Sequence, residues 1–346
     1  MAPTPLQIEL AEILRLLADL MVGLDPVWLF GIAIGLGFAI LVWSADRFVV
    51  GAASIARNLG VSTLIIGLTI VGFGTSAPEI LVSIFAALEG NPGLAIGNAL
   101  GSNITNIGLI LGVTALLLPI EVHSKTLTQE TPLLITVCVI AYFLSLDGLL
   151  VRTDSLVLLA LLALFLFWLF WRAQRDHGDP LAAEVIEEIP ESLSLARSWW
   201  LFGLGLLFLL LSSRMVVWGA VGLAHYFGIS DLIIGLTLVA FGTSLPELAA
   251  SLMSAWKRED DLAIGNIVGS NMFNMLAVYS VPGLITPFVL ERSVLERDFV
   301  VMLGLTVAMW LLSFGWRKRP RIGRLDGLLL LGGFLYYEWL LYRSVG

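Results

Sequence analysis

Apolar runs of about 20 residues alternate with short polar connections along almost the whole chain, and each run is long enough to cross roughly 30 Å of hydrocarbon as a helix. The pattern predicts spans at about 27–50, 61–88, 93–118, 131–147, 151–172, 199–226, 230–256, 261–286, 298–316 and 325–343. Ahead of them, Pro5 to Leu24 sets Glu9, Glu12, Arg15 and Asp19 among its apolar positions. These are too many charges for a span, and the stretch reads as an amphipathic helix lying in the membrane interface. The longest polar connection, 174–198, carries Glu184, Glu187, Glu188 and Glu191 and divides the spans five and five. The expected architecture is an all-α polytopic membrane protein of ten transmembrane helices. An N-terminal helix over 1–26 precedes five spans over 27–173, an acidic solvated loop over 174–198 and five more spans over 199–346.

The two sets of five repeat each other. Sliding the chain by 168 residues lays STLIIGLTIVGFGTSAPE, from Ser62, on SDLIIGLTLVAFGTSLPE, from Ser230, and LAIGNALGSNITN on LAIGNIVGSNMFN, without a gap. Roughly 25 of about 45 positions are identical, more than shared apolar composition produces. Five spans separate each point from its copy, an odd number, so the repeats must lie in opposite orientations. Inverted repeats of this kind build secondary transporters, with the site near the midplane at the repeat interface.

Composition agrees: 58% of the 346 residues are hydrophobic and 13% charged, against about 25% charged in a soluble domain. The net charge of −8 sits largely in the acidic loop and the N-terminal stretch, so it says little about partners, and nothing points to nucleic acid. One cysteine, Cys138, excludes an internal disulfide framework, and no basic region precedes the first apolar run as in a cleaved signal peptide. With the N-terminus outside, thirteen Lys and Arg fall on the inner side against five on the outer. The positive-inside rule therefore predicts both termini outside and the 174–198 loop in the cytoplasm of a cell that places this chain in its inner membrane.

Against this apolar background, GFGTSAPE (Gly72 to Glu79) and AFGTSLPE (Ala240 to Glu247) each put a carboxylate directly after a proline in mid-span. Pro78 and Pro246 lack an N–H, so the carbonyls of Gly74 and Gly242 lose their helical donors, and with Gly72 nearby the backbone is expected to unwind and offer oxygens inward. Helical spacing gathers Thr75 and Ser76 beside Glu79, and Thr243 and Ser244 beside Glu247. Asn98, Ser102 and Asn106 form a stripe at four-residue spacing, matched by Asn266, Ser270 and Asn274. The inventory is two acids, hydroxyls, amide oxygens and carbonyls, without thiolate or imidazole, which suits hard cations such as Ca²⁺ and Na⁺. Small residues such as Gly67 and Gly235 read as packing surfaces, whereas Asn103 and Asn271 fall off the stripe and fit either role. Asp46 and Arg214, related by the same offset, are expected to act separately near the helix ends.

These paired segments resemble the alpha-1 and alpha-2 repeats of the cation/calcium antiporter superfamily, in its prokaryotic sodium/calcium exchanger branch. The resemblance implies that the second, third, seventh and eighth spans form a diamond of cation sites. It assigns Glu79 and Glu247 to shared calcium and sodium ligation and Thr75 and Thr243 to further oxygens for calcium. Ser76, Ser102, Ser244 and Ser270, with the backbone oxygens of Gly72 and Ala240, fall to flanking sodium sites. Asn106 and Asn274 stand in the middle, Asn274 where several members carry an aspartate. It also implies that the long first and sixth helices, carrying Gly51 and Gly219, slide to alternate access.

The expected function is a secondary antiporter, not an enzyme, which exports Ca²⁺ in exchange for Na⁺, needs no cofactor and works as a monomer in the bilayer. An exchanger of the same fold driven by H⁺, or assisted by K⁺, is the alternative. An intramembrane hydrolase using the two acids as a dyad is a remote one.

Overall fold

The computed structural model describes residues 26–88, 90, 92–122, 127–175, 193–227, 240–314 and 320–345. The expectations for the N-terminal helix, the acidic stretch 176–192 and Gly235 lie outside them. Within them, each of the ten predicted spans is represented by helix, the seventh by its part from Ala240 onward.

The first span is a single 34-residue helix, α1 (Pro26–Leu59). The second begins with α2 (Thr63–Ile66), passes through a π turn at Gly67–Val71 into α3 (Gly72–Thr75), and resumes after Ser76 as α4 (Ala77–Leu88). The third runs from α5 (Pro92–Ile104) through a π turn at Thr105–Leu111 to α6 (Gly112–Leu117). Helices α7 (Leu127–Leu144) and α8 (Arg152–Arg175) complete the first set. The second set opens with α9 (Leu195–Tyr226), then α10 (Ala240–Thr243) and α11 (Leu245–Trp256). It continues with α12 (Asp260–Phe273), a π turn at Asn274–Val278 and α13 (Ser280–Ile285). A π turn at Val294–Asp298 leads into α14 (Phe299–Ser313), and α15 (Arg324–Val345) ends the set.

The repeat is carried into the backbone. Helices α3 and α4 break at Ser76, and α10 and α11 break at Ser244, at boundaries that coincide under the 168-residue offset. In the first repeat the pieces Gly67–Thr75 and Ala77–Leu88 meet at 50°. The cause is local: Pro78 and Pro246 each occupy the second position of a new helix, where a missing N–H costs nothing, and forbid continuation of the old one.

Helices α1 and α9 make the most extensive contact between any two described elements. Gly51 faces the main chain of Phe202 and Gly205 that of Phe48, so a side chain at either would drive the pair apart. The second and eighth spans cross just as closely. A Cβ on Gly67 would lie 2.9 Å from Gly265 Cα, and one on Gly269 would lie 2.7 Å from the Leu68 carbonyl oxygen. The packing role expected of Gly67 is what this crossing needs, and it brings the proline-broken second span against the eighth, on which α11 of the other broken span packs.

Four two-residue strands, absent from the sequence expectation, tie connections together at the ends of the bundle. Ile120–Glu121 (β1) pairs antiparallel with Arg321–Ile322 (β4), and Leu149–Leu150 (β2) with Phe288–Val289 (β3). They are too short to show an alternating pattern, and the fold remains all-α.

Candidate cation-binding site

The breaks at Ser76 and Ser244 place Glu79 and Glu247 in the first turns of α4 and α11, each 1% exposed. Both acids point into protein, not toward lipid. The Ser76 hydroxyl, in Glu79's own segment, donates across the repeat interface to Glu247 Oε1 at 3.4 Å, so the two proline-broken segments confront each other at this point.

Around the acids the described candidates are buried: Thr75, Ser76, Ser102, Ser244, Ser270, Asn106 and Asn274. Gly72 is buried in α3. Thr243 is half-buried at the end of α10, and Ala240 contributes backbone at its start. The Thr75 hydroxyl has one proton and competing acceptors in Asn266 Oδ1 at 3.1 Å and Val71 O at 3.2 Å, and exchanges a hydrogen bond with Ser270 Oγ at 3.3 Å. These bonds link the second span to the eighth. Asn106 donates to Asn271 Oδ1 at 3.0 Å, which draws Asn271 into the site. Asn103 turns its amide nitrogen to Met302 Sδ at 3.5 Å and leaves its Oδ1 buried without a hydrogen-bond partner.

Several buried side-chain oxygens here have no hydrogen-bond partner: Glu79 Oε2, Glu247 Oε2, Ser244 Oγ, Asn106 Oδ1 and Asn274 Oδ1. Leaving one such group unsatisfied costs about 1–3 kcal/mol, and more when it is charged. Four of the five are pure acceptors and the fifth is a hydroxyl with free lone pairs, so the set matches a cation and could not be satisfied by apolar packing. Two carboxylates and neutral oxygens give a charge of −2 that one divalent or two monovalent ions would cancel.

The backbone differs from the expectation in two places. Gly72 O keeps its helical donor, Ser76 N at 3.0 Å, and its remaining lone pair faces Ser270 Oγ at 3.5 Å, so the chain unwinds at Ser76 rather than at Gly72. Gly242 O, stripped of its donor by Pro246, accepts the Ser213 hydroxyl of α9 at 3.1 Å. Sequence reasoning missed Ser213, because its partner is chosen by helix packing. It also missed Ser251, which accepts from Asn266 Nδ2 at 2.9 Å. A signal for Ser251 existed: Ser83 and Ser251 are one of only two identities between the otherwise divergent stretches 80–93 and 248–261. The π turns went unseen too, although those at Thr105–Leu111 and Asn274–Val278 carry Asn106 and Asn274 at equivalent places, and such turns often mark functional sites.

The sodium/calcium exchanger protein family matches this chain twice, over residues 29–171 and 197–343. The chain is 49% identical over 309 residues to CaxA of Alkalimonas amylolytica, covering 89% of this chain and 97% of that protein. It is 32% identical over 342 residues to the sodium/calcium exchanger MaX1 of Methanosarcina acetivorans, covering 89% and 97%. Among solved structures, the sodium-calcium exchanger NCX_Mj soaked with 10 mM Na⁺ and 10 mM Sr²⁺ superposes with a TM-score of 0.77 at 34% identity, over 90% of this chain and 97% of that one. With both halves matched, a ten-span inverted repeat as its fold and relatives aligned over nearly their whole length, the chain belongs to the sodium/calcium exchanger family.

Proposed function

We propose that this chain is an electrogenic antiporter of the inner membrane that expels Ca²⁺ in exchange for inward-moving Na⁺, using Glu79 and Glu247 as ligands shared by both ions. The observation that carries the reading is the cluster of unpartnered buried oxygens on the two acids, Ser244, Asn106 and Asn274. Ca²⁺ takes six to eight oxygens at about 2.3–2.6 Å, and two carboxylates able to bind through both atoms would supply about four. Thr75 and Thr243 are the neighbouring oxygens for calcium. Ser76, Ser102, Ser244 and Ser270, with the carbonyls of Gly72 and Ala240, form the flanking places suited to Na⁺. The names of MaX1 and NCX_Mj as sodium/calcium exchangers support the same choice of ions.

Competition for shared ligands makes the protein an exchanger. An empty site of charge −2 is too costly to carry past a hydrophobic barrier, so the alternation of access completes only with Ca²⁺ or a sodium set aboard. The orientation proposed with it has both termini outside and the 174–198 loop in the cytoplasm.

The test is calcium uptake into sealed vesicles at fixed pH with the membrane potential clamped. An outward sodium gradient should drive uptake that a protonophore does not change. Uptake that follows only a pH gradient would replace sodium by protons on the same two acids.

A further inference from the structure

The hydroxyl and amide stripes of the third and eighth spans supply more polar groups than ion ligation uses. Two of them, Asn98 and Asn266, do the same unexpected thing. Asn98 Nδ2 donates to the main-chain carbonyl of Glu79 at 3.0 Å. Asn266 Nδ2 donates to the main-chain carbonyl of Glu247 at 3.3 Å. In both cases donor and acceptor are 19 residues apart in sequence, and the two asparagines are themselves one repeat offset apart. The same bond is thus made twice, once in each inverted half, onto the residue that carries the acid.

We propose that Asn98 and Asn266 are positioning residues for ion binding, each fixing the acid of its own repeat by holding that acid's carbonyl. The need for such a device follows from the breaks. Glu79 and Glu247 stand in the first turn after a proline-enforced interruption, and a first helical turn lacks the preceding turn that would otherwise pin its rotation. The bonds Ile80 N to Ser76 O at 3.1 Å and Leu248 N to Ser244 O at 3.0 Å hold the start of each new helix along its axis. A lateral bond from the neighbouring span to the glutamate's own peptide fixes its rotation about that axis. It acts one bond from Cα, where a small rotation swings a carboxylate at the end of a long side chain most.

Asn266 goes further than its twin. Its second amide proton serves Ser251 Oγ at 2.9 Å, and its Oδ1 accepts the Thr75 hydroxyl at 3.1 Å. Thr75 belongs to the opposite repeat, so this one carboxamide joins the main chain of Glu247 to a neighbour of Glu79. Only a primary amide of this length offers donors at one end and an acceptor at the other: aspartate lacks the donors, leucine lacks both, and glutamine overshoots by a methylene. Each asparagine spends an amide donor on the carbonyl of its acid, a role distinct from that of the unpartnered oxygens of Asn106 and Asn274.

The inference rests on the cation-binding reading above and is tested separately from it. Full-length wild type, Asn98→Ala, Asn266→Ala and Asn266→Asp are purified beside Ser145→Ala. That control removes a hydroxyl bonded to Tyr279 at 2.7 Å and to the Ala141 carbonyl at 2.8 Å. Two quantities are read: the half-saturating Ca²⁺ concentration, and the rise in Tm on adding Ca²⁺, Sr²⁺ or Na⁺. Expected is a rise in half-saturating Ca²⁺ of about tenfold for Asn266→Ala, the scale of one to two net hydrogen bonds, and of about threefold for Asn98→Ala. Ser145→Ala should lower Tm in the absence of ions and leave half-saturation unchanged. Asn266→Asp keeps the acceptor for Thr75 and loses both donors, so it should also bind weakly, and it serves if Asn266→Ala does not fold. Asparagine variants that lose Tm like the control but retain wild-type half-saturation would overturn the proposal. Wild type that responds to none of the three cations would instead overturn the functional reading on which it rests.

Discussion

At the scale of single residues, the site stands on two acids that no arginine, lysine or histidine neutralises within the described structure. The five salt bridges found there all lie elsewhere, among Asp46, Arg47, Arg57, Lys257, Glu259, Arg292, Glu296, Arg297 and Asp298. Removing one carboxylate charge while keeping the shape halves the charge offered to Ca²⁺ in a buried setting, a loss on the order of 3 kcal/mol. Glu79→Gln and Glu247→Gln should therefore each weaken Ca²⁺ binding by at least about 100-fold, while Tm without ions holds or rises because a buried charge has gone. Titration calorimetry and a thermal melt on the same samples check both halves, and near-normal calcium affinity in either variant contradicts the shared-ligand scheme. The burial of both acids at equivalent places was legible in the sequence, since a mid-span carboxylate is conspicuous alone and its recurrence after 168 residues leaves little room for accident. What each neighbour does was not legible. Asn103 and Asn271 occupy equivalent places in GSN segments, yet one turns to Met302 and the other to Asn106, because their surroundings come from different helices.

At the scale of elements, ten apolar runs and their repeat were enough to place every described helix, but not its ends. The first span was expected over 27–50, whereas α1 runs on to Leu59. Its final turn carries Arg57 and Asn58, held by partners remote in sequence, Arg57 by Glu259 at 2.7 Å and Asn58 by the Leu193 carbonyl at 3.0 Å, which hydropathy cannot register. Glycines show the same limit. Gly97, Gly101 and Gly269 all stand in the paired third and eighth spans, and sequence does not separate them. The structure does: a Cβ at Gly97 or Gly101 meets nothing within 4 Å, while one at Gly269 lies 2.7 Å from the main-chain oxygen of Leu68. Gly97→Ala should be neutral or stabilising by up to about 1 kcal/mol through helix propensity. Gly269→Ala must push apart the crossing of the second and eighth spans, at a cost of about 1–3 kcal/mol. Thermal melts of the two variants should move in opposite directions, and matching shifts would show that the crossing is looser than its geometry.

At the scale of the whole molecule, the α1/α9 pair packs along the rest of the bundle through apolar contacts, Phe48, Val49, Ala52 and Ile55 among them, and is clipped to it by charge at one rim. Lys257, in the turn between α11 and α12, reaches Asp46 of α1 at 2.6 Å, and Glu259 of the same turn reaches Arg57 at 2.7 Å. Arg258 between them is the one described non-glycine residue with positive φ, 63°, so backbone strain is spent on presenting both neighbours. Burial raises the Glu259 carboxyl above its ordinary pKa, Asp260 adds to the rise, and Arg57 and Lys257 offset it only in part. The ionised group is therefore a net cost at this rim at neutral pH. Asp46 and Lys257 are about 30% exposed, at 32% and 29%, and such a pair contributes about 0.2–1 kcal/mol. Arg214 is not its partner, in line with separate roles for the two. Instead the repeat offset carries Asp46 to Arg214 and Lys257 to Glu89, the same two charges with their signs exchanged. If access alternates by moving α1 and α9 against the remaining helices, breaking Asp46–Lys257 favours the state in which this rim is open. Asp46→Asn and Lys257→Met should each shift the ratio of apparent Ca²⁺ affinities at the two membrane faces by up to about fivefold at low salt. The exchanged pair Asp46→Lys with Lys257→Asp should restore it, and the difference should fade as ionic strength rises toward 1 M, where the screening length falls to about 3 Å. Single variants with wild-type ratios at low salt, or an exchanged pair that restores nothing, would reduce this bridge to a surface ornament and leave the balance between the two states to apolar packing alone.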